Sequence, residues 1–229
     1  MKPDLCPVCQ SRSTVEWYAQ DADVTKLSFN YTFTPESRKT FRVVRCRSCT
    51  HAFCSPIPKN IYKNYEDVVD EEYLRHKKTR ELTAEAVLKV IKNYMPSGTL
   101  LDVGCATGDF LSQAKNVDYS AEGLELSRWS SEIARKRGFK IYRETLQSLS
   151  GRYPKRYDIV TLWGVIEHFA DPGQEMAYIN KLLKRGGLVA LWTGDVNSIV
   201  SRLFGRRWWY WQGQHIQYFA RSSLKVQPH

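Results

Sequence analysis

Short apolar runs punctuate the second half of the chain, each bounded by glycine, proline or polar residues. They fall near Thr99–Val103, Ala121–Glu125, Lys140–Tyr142, Tyr157–Trp163 and Gly187–Thr193. Stretches with helical spacing separate them, and strands alternating with helices predict right-handed βαβ crossovers, a parallel sheet and the α/β class. Ahead of the first run, Leu74, Leu82, Ala86, Val87, Val90 and Ile91 recur at helical spacing, so a helix is expected over Glu71–Tyr94, stopped by Pro96-Ser97-Gly98 and packed beside the first strand. Further upstream, FRVVRC alternates apolar and basic residues and reads as a strand. Ser55-Pro56-Ile57-Pro58 breaks regular structure, and the tyrosine-rich stretch Asn60–Tyr65 reads as a linker. The expected division is an amino-terminal segment over residues 1–58 and an α/β domain over residues 59–229.

The first strand runs directly into a glycine-bracketed turn, LLDVGCATGDFL over Leu100–Leu111. Gly104, Ala106 and Gly108 leave room for a ligand to lie against the backbone, because glycine has no Cβ to obstruct it. The turn is not G-x-G-x-x-G, and no Lys-Ser/Thr follows it, so a phosphate-binding loop is disfavoured. By itself the segment also fits an ordinary strand-turn-helix. Three further segments narrow the choice. YSAEGLELS ends its strand on Glu125, YDIVTLWGVIEHFADP empties a strand into Trp163, Glu167 and His168, and LLKRGGLVALWTG breaks a helix at Gly186-Gly187 before another strand. An acid at the tip of a second strand can accept both hydroxyls of a ribose.

In order and spacing these four segments resemble the motifs of class I S-adenosylmethionine (SAM) dependent methyltransferases. The resemblance covers about Leu100–Gly194 and implies a Rossmann-like fold with a mainly parallel sheet, a SAM cofactor and methyl transfer. It implies further that the turn Gly104-Cys105-Ala106 and Gly108 passes the methionine part of SAM, with Asp102 at its amino group directly or through water. Cys105 also reads as a small packing residue of the turn. Glu125 would take the ribose hydroxyls and Leu126 would lie against the adenine. Glu144 is a candidate acceptor for the adenine amino group, with a solvated helix-start acid as the alternative. Trp163 would flank the sulfonium, where an aromatic face suits a cation, or be buried core. His168 is the expected general base, because its ordinary pKa lies near working pH. Glu167 would hold its tautomer, bind a metal or face solvent. His215 is the second candidate base, carried by a lid. The family's sheet resembles seven strands, whereas only five are legible here. The sheet edge is therefore expected to lack its last two strands, next to an exposed tryptophan cluster; Trp208, Trp209 and Trp211 with Arg206 and Arg207 would line the acceptor pocket, reach a membrane surface, stack on bases or form core for the missing strands. A partner or a second copy would cover that edge.

Cysteine spacing adds a metal to this picture. Cys6-Pro-Val-Cys9 and Cys46-Arg-Ser-Cys49 are two C-x-x-C pairs, each able to turn two thiolates toward one tetrahedral ion, and four soft ligands select zinc. A ribbon-like segment with a hairpin or two between the knuckles is expected. His51 and Cys54 lie close enough in sequence to replace a ligand, and a redox C-x-x-C is the minor alternative. Without a signal-peptide pattern or a run of about eighteen apolar residues, the expected compartment is cytoplasmic, where disulfides are disfavoured. The formal net charge is +10, from 34 Lys and Arg against 24 Asp and Glu, which favours polyanionic partners without choosing among them.

A zinc segment ahead of a SAM domain resembles bacterial methyltransferases of surface polysaccharide, nucleotide-sugar and natural-product pathways. That implies O- or C-methylation of a small, nucleotide-linked or related acceptor. An RNA methyltransferase is the second reading, although no Asn/Asp-Pro-Pro-aromatic tetrad follows the fourth strand, and a non-catalytic zinc-bearing scaffold is the third.

Overall fold

The computed structural model describes residues 4–21, 30–32, 39–58 and 61–225. Strands β1 (Thr14–Tyr18), β2 (Val43–Cys46) and β3 (Ala52–Cys54) form antiparallel neighbours, so the two cysteine pairs are brought together by the pairing of β1 with β2. Of the insert expected as one or two hairpins, residues 22–29 and 33–38 lie outside the described residues, as do Asn60 of the expected linker and the tail 226–229.

The stretch expected as a linker is instead packed structure. Ile61 is buried, Lys63–Glu66 form a short helix α1, and Tyr62 and Tyr65 pack into a core with the carboxyl-terminal aromatic residues. The single helix expected over residues 71–94 is two, α2 (Glu71–Arg75) and α3 (Lys77–Lys92), joined at His76. Its inward face also differs. Ala84, Leu88 and Ile91 are buried against Phe110, Leu111 and Ala114, whereas Leu74, Leu82 and Val90 are exposed. The buried trio, at i, i+4 and i+7, makes one stripe, and only one stripe of an amphipathic helix can meet the core.

Next come β4 (Gly98–Val103), α4 (Asp109–Asn116), β5 (Tyr119–Leu124), α5 (Arg128–Lys136), β6 (Ile141–Tyr142), α6 (Leu146–Arg152), β7 (Tyr157–Trp163), α7 (Pro172–Leu182) and β8 (Leu183–Trp192). The strands are parallel in the order β6-β5-β4-β7-β8. Helix starts follow from local chemistry. Ser127 and Thr145 accept from the amides of Ser130 and Ser148, and Asp171 caps α7 through Gln174 N with Pro172 in its first turn. Leu100, Leu101 and Val103 of β4 are buried because helices cover both faces of a parallel sheet. The order reverses at β4, with β5 on one side and β7 on the other. Such a switch point opens a crevice at the carboxyl ends of the strands.

The chain ends with α8 (Ile199–Phe204), β9 (Gln217–Tyr218) and α9 (Arg221–Leu224). Among the described residues β8 has no strand on its outer side. The last strand, β9, instead pairs antiparallel with β3 and extends the amino-terminal sheet. The expected exposed tryptophan cluster is corrected accordingly. Trp208 and Trp211 are buried, with Trp211 ring-to-ring against Trp17 (5.5 Å), Tyr18 (5.1 Å) and Tyr218 (4.3 Å), and Trp209 alone of the three is exposed. The area these rings remove from water joins the two ends of the chain.

Candidate active site

A cavity of about 1040 Å³ opens at the switch point, walled by the carboxyl ends of β4, β5 and β7, by α3, and by the tyrosines of residues 31–73. Gly104 ends β4 with φ +68°, and a Cβ there would stand 2.6 Å from Val165 Cγ2, so only glycine keeps this wall of the cavity in place. Cys105 and Ala106 also line it. Cys105 is buried among the side chains of α4, and burial holds its thiol well above the ordinary range. Gly108, with φ +82°, lies outside the lining and packs toward Phe139 and Ala134, where it opens α4.

Two buried carboxylates face this space. Asp102 accepts a hydrogen bond from Thr161 Oγ1 (2.7 Å), and its pKa is pushed up to about 7, by burial first and by the charge of Glu125 second. Glu125 accepts from Ala106 N (2.9 Å), Ser127 N (2.8 Å) and the Tyr31 hydroxyl (3.2 Å), and burial raises its pKa as well. Leu126 and Trp163 line the cavity beside them. The Trp163 ring lies 5.1 Å from Phe110, and its buried Nε1 has no hydrogen-bond partner among the described residues. Glu144 reaches the lining, but its carboxylate is engaged by Arg152 and by Ser148 Oγ (2.5 Å), which competes with the expected acceptance from an adenine amino group.

A family model whose description is "Methyltransferase domain" matches residues 71–228, more than half of the chain. The chain belongs to this methyltransferase domain family. It is 31% identical over 105 residues to the ubiquinone biosynthesis O-methyltransferase of Proteus mirabilis, covering 43% of each chain. It is 26% identical over 141 residues to an uncharacterized protein of Methanocaldococcus jannaschii, covering 62% of this chain and 66% of that one. The chain thus spans under half the length of the first curated relative. A SAM-dependent methyltransferase structure from Archaeoglobus fulgidus superposes with TM-score 0.56 at 20% identity, over 68% of this chain and 71% of that one. One from Thermotoga maritima, titled a possible histamine N-methyltransferase, gives 0.53 at 24% identity, over 67% and 72%. At such identities the likeness establishes the fold, that of a Rossmann-like class I methyltransferase.

In this methyltransferase domain the far end of the cavity holds His168, on a one-turn 3-10 helix after β7. Its Nδ1 lies 2.8 Å from the carbonyl oxygen of Gln214 and 2.8 Å from the Tyr65 hydroxyl. A carbonyl can only accept, so the network assigns the proton to Nδ1 and leaves Nε2 as the basic nitrogen. Glu167 does not hold this tautomer, because its buried carboxylate accepts from Thr193 Oγ1 (3.0 Å) and the Tyr210 hydroxyl. It does not face solvent either. His215 is not on a lid. It is fully buried behind His168, ring centroids 4.9 Å apart, and donates through Nδ1 to the carbonyl of Tyr210 (2.8 Å). Burial first, and the neighbouring His168 second, drive its pKa well below the ordinary value, so it stays neutral. Donor atoms of Glu167, His168 and His215 nevertheless lie within 4.8 Å of one another.

Trp208, Trp209 and Trp211 do not line the cavity; Trp163 and Trp192 do. Arg206 is committed to Thr40 Oγ1 (2.7 Å) and Asp21 (2.5 Å). The residues that sequence reasoning missed are Tyr31, Tyr65, Tyr73, Arg80 and Gln214, all in the wall. The Arg80 guanidinium sits 3.5 Å over the Tyr73 ring and pairs with buried Asp109 (2.7 Å), which also binds Arg137 (2.6 Å). The signal for the tyrosines was their density between residues 62 and 73, where a solvated linker has no use for large rings.

Away from the cavity, the four cysteine sulfurs converge within 4.8 Å of one another, with Cys6 to Cys49 at 3.7 Å and Cys9 to Cys46 at 3.6 Å. A disulfide needs about 2.05 Å. A tetrahedron of sulfurs around an ion at about 2.3 Å has edges of about 3.8 Å. Neither proposed substitute ligand joins them. His51 Nε2 is bonded to Gln217 Oε1 (2.9 Å), and Cys54 Sγ points to the carbonyl of His215 (3.7 Å).

Proposed function

We propose that this chain is a SAM-dependent methyltransferase acting on a small-molecule acceptor through oxygen or carbon. The observation that carries the reading is one cavity that joins the acid-bearing ends of β4 and β5 to His168, whose Nδ1 is engaged by the Gln214 carbonyl. The residues fit the cofactor. The Gly104 cradle would be filled by any Cβ, the Trp163 indole N–H is buried and unpaired, and Glu125 presents a carboxylate where a ribose would lie. Asp102, Gly104, Cys105 and Ala106 would hold the amino-acid part, and Glu125 and Leu126 the nucleoside. When bound, SAM supplies an electrophilic methyl group on a positively charged sulfur.

The protein's part is to align the acceptor and remove its proton. The acceptor proton passes to Nε2 of His168, and the resulting imidazolium keeps its Nδ1 proton on the Gln214 carbonyl. At about 1040 Å³ the cavity lies just above the roughly 300–1,000 Å³ usual for ligand pockets, which leaves space for a cofactor and a compact acceptor together. The similarity to ubiquinone biosynthesis O-methyltransferases supports transfer to oxygen, and a sugar, nucleotide-linked sugar or related metabolite remains our choice of acceptor. The four thiols are read as a structural zinc site of an amino-terminal unit over residues 1–58, preceding the methyltransferase unit. Thiolate ligands suit a reducing, cytoplasmic compartment.

Calorimetric titration of the zinc-loaded chain with SAM and S-adenosylhomocysteine tests the reading. Micromolar binding that Glu125→Ala abolishes is expected. No heat from the folded, zinc-loaded protein would overturn it in favour of a scaffold that keeps only the fold.

A further inference from the structure

Helix α8 is turned inside out. Ser201 is its buried residue, while Ile199, Leu203 and Phe204 are 77, 78 and 58% exposed, with Val200 exposed beside them. The surface continues through the next stretch of chain. Trp209 and Trp192 are exposed on either side of Tyr210, at ring distances of 5.2 and 6.1 Å. Scattered exposed apolar residues need no explanation, but a run of this density on one short element does. Residues 196–209, VNSIVSRLFGRRWW, carry three arginines and no acid, and Arg202 and Arg207 are exposed among the apolar side chains.

We propose that α8 and the Arg206–Trp209 turn form a docking surface for an anionic lipid bilayer. Apolar side chains that enter the acyl boundary, flanked by guanidinium groups and tryptophan at head-group level, are the chemistry of interfacial binding. Charge complementarity selects this occupant over a second copy. A two-fold interface would set Arg202 and Arg207 against the same basic patch of another chain with net charge +10. Among the described residues no helix is long and apolar enough to cross a membrane, so the contact is peripheral. Trp192, half exposed with its ring 6.1 Å from that of Tyr210, is also part of the cavity wall. The inference goes beyond the methyl-transfer reading and does not require it.

The test is sedimentation of the full chain with vesicles of phosphatidylcholine alone or with a third phosphatidylglycerol, at low and moderate salt. Binding to the anionic vesicles that weakens with salt is expected. Leu203→Ser with Phe204→Ser should lower the partition coefficient at least about tenfold. Arg202→Ser with Arg207→Ser should lower it about 25-fold, from about fivefold per charge. The arginine pair also guards against misfolding of the apolar variant, and both should retain the calorimetric response of the parent to SAM, whatever that response is. No sedimentation with anionic vesicles, or unchanged sedimentation of both variants, overturns the proposal. So does a dimer in size-exclusion chromatography that Leu203→Ser with Phe204→Ser dissociates, since the face would then be a contact between copies.

Discussion

Asp102→Asn isolates the electrostatic cost of the candidate active site. Asp102 is buried at the end of β4 and accepts one hydrogen bond, 2.7 Å from Thr161 Oγ1, which an asparagine oxygen can equally accept. Its carboxyl is held up to about 7, against about 3.9 for an exposed aspartate. Between those values the folded state binds more protons than the unfolded chain, so stability falls as pH rises from about 4 to 7 and levels off above. The integrated loss is on the order of 4 kcal/mol at 1.36 kcal/mol per pH unit, an upper bound because relaxation around the ionised group reduces it. The amide of the substituted side chain does not titrate. The variant should therefore match the parent near pH 4 and exceed it in stability by up to that amount at pH 8. Urea unfolding of both proteins at pH 4, 5, 6, 7 and 8 measures this, and the difference between the two curves cancels the titrating groups that do not interact with Asp102, leaving its coupling to Glu125 within the difference. A flat difference, or a variant that loses ground as pH rises, would refute burial as the force acting on Asp102.

His168→Asn should lower turnover about 10²- to 10⁴-fold while the dissociation constant for SAM stays unchanged, as measured with labelled cofactor and by calorimetry. Tyr65→Phe removes the hydroxyl 2.8 Å from His168 Nδ1, and a positioning role predicts a shifted pH–rate profile rather than weaker cofactor binding. Gly104→Ala forces a side chain onto φ +68° and into Val165. We expect a loss of stability of about 1–3 kcal/mol and loss of SAM binding, read by thermal melting and titration. One zinc per chain is expected by metal analysis, and Cys49→Ser or a strong chelator should lower the melting temperature, since ligand-held structure loses its binding free energy with the metal.

Local pattern was enough for the α/β alternation, the five parallel strands and the glycine turn of Leu100–Leu111, because short-range periodicity and the need for backbone clearance are written in adjacent residues. It was also enough to bring Asp102, Glu125 and His168 to one end of the sheet, since strand ends in a parallel sheet share a side. The pairing of Cys6 and Cys9 with Cys46 and Cys49 was legible from spacing. What only the tertiary structure decided are contacts between residues far apart in the chain. Periodicity could not choose Ala84, Leu88 and Ile91 over Leu82 and Val90, because α3 offers several apolar stripes and the position of α4 selects one. Tyr62 and Tyr65 became cavity wall rather than linker, joined there by Tyr31 and Tyr73, when the amino-terminal segment folded back over the site. His215 changed from a lid base to a buried imidazole, and Trp208 and Trp211 from surface to core, for one reason. The strand Gln217–Tyr218 pairs with Ala52–Cys54, and the aromatic area buried by that closure outweighs anything the residues show on their own.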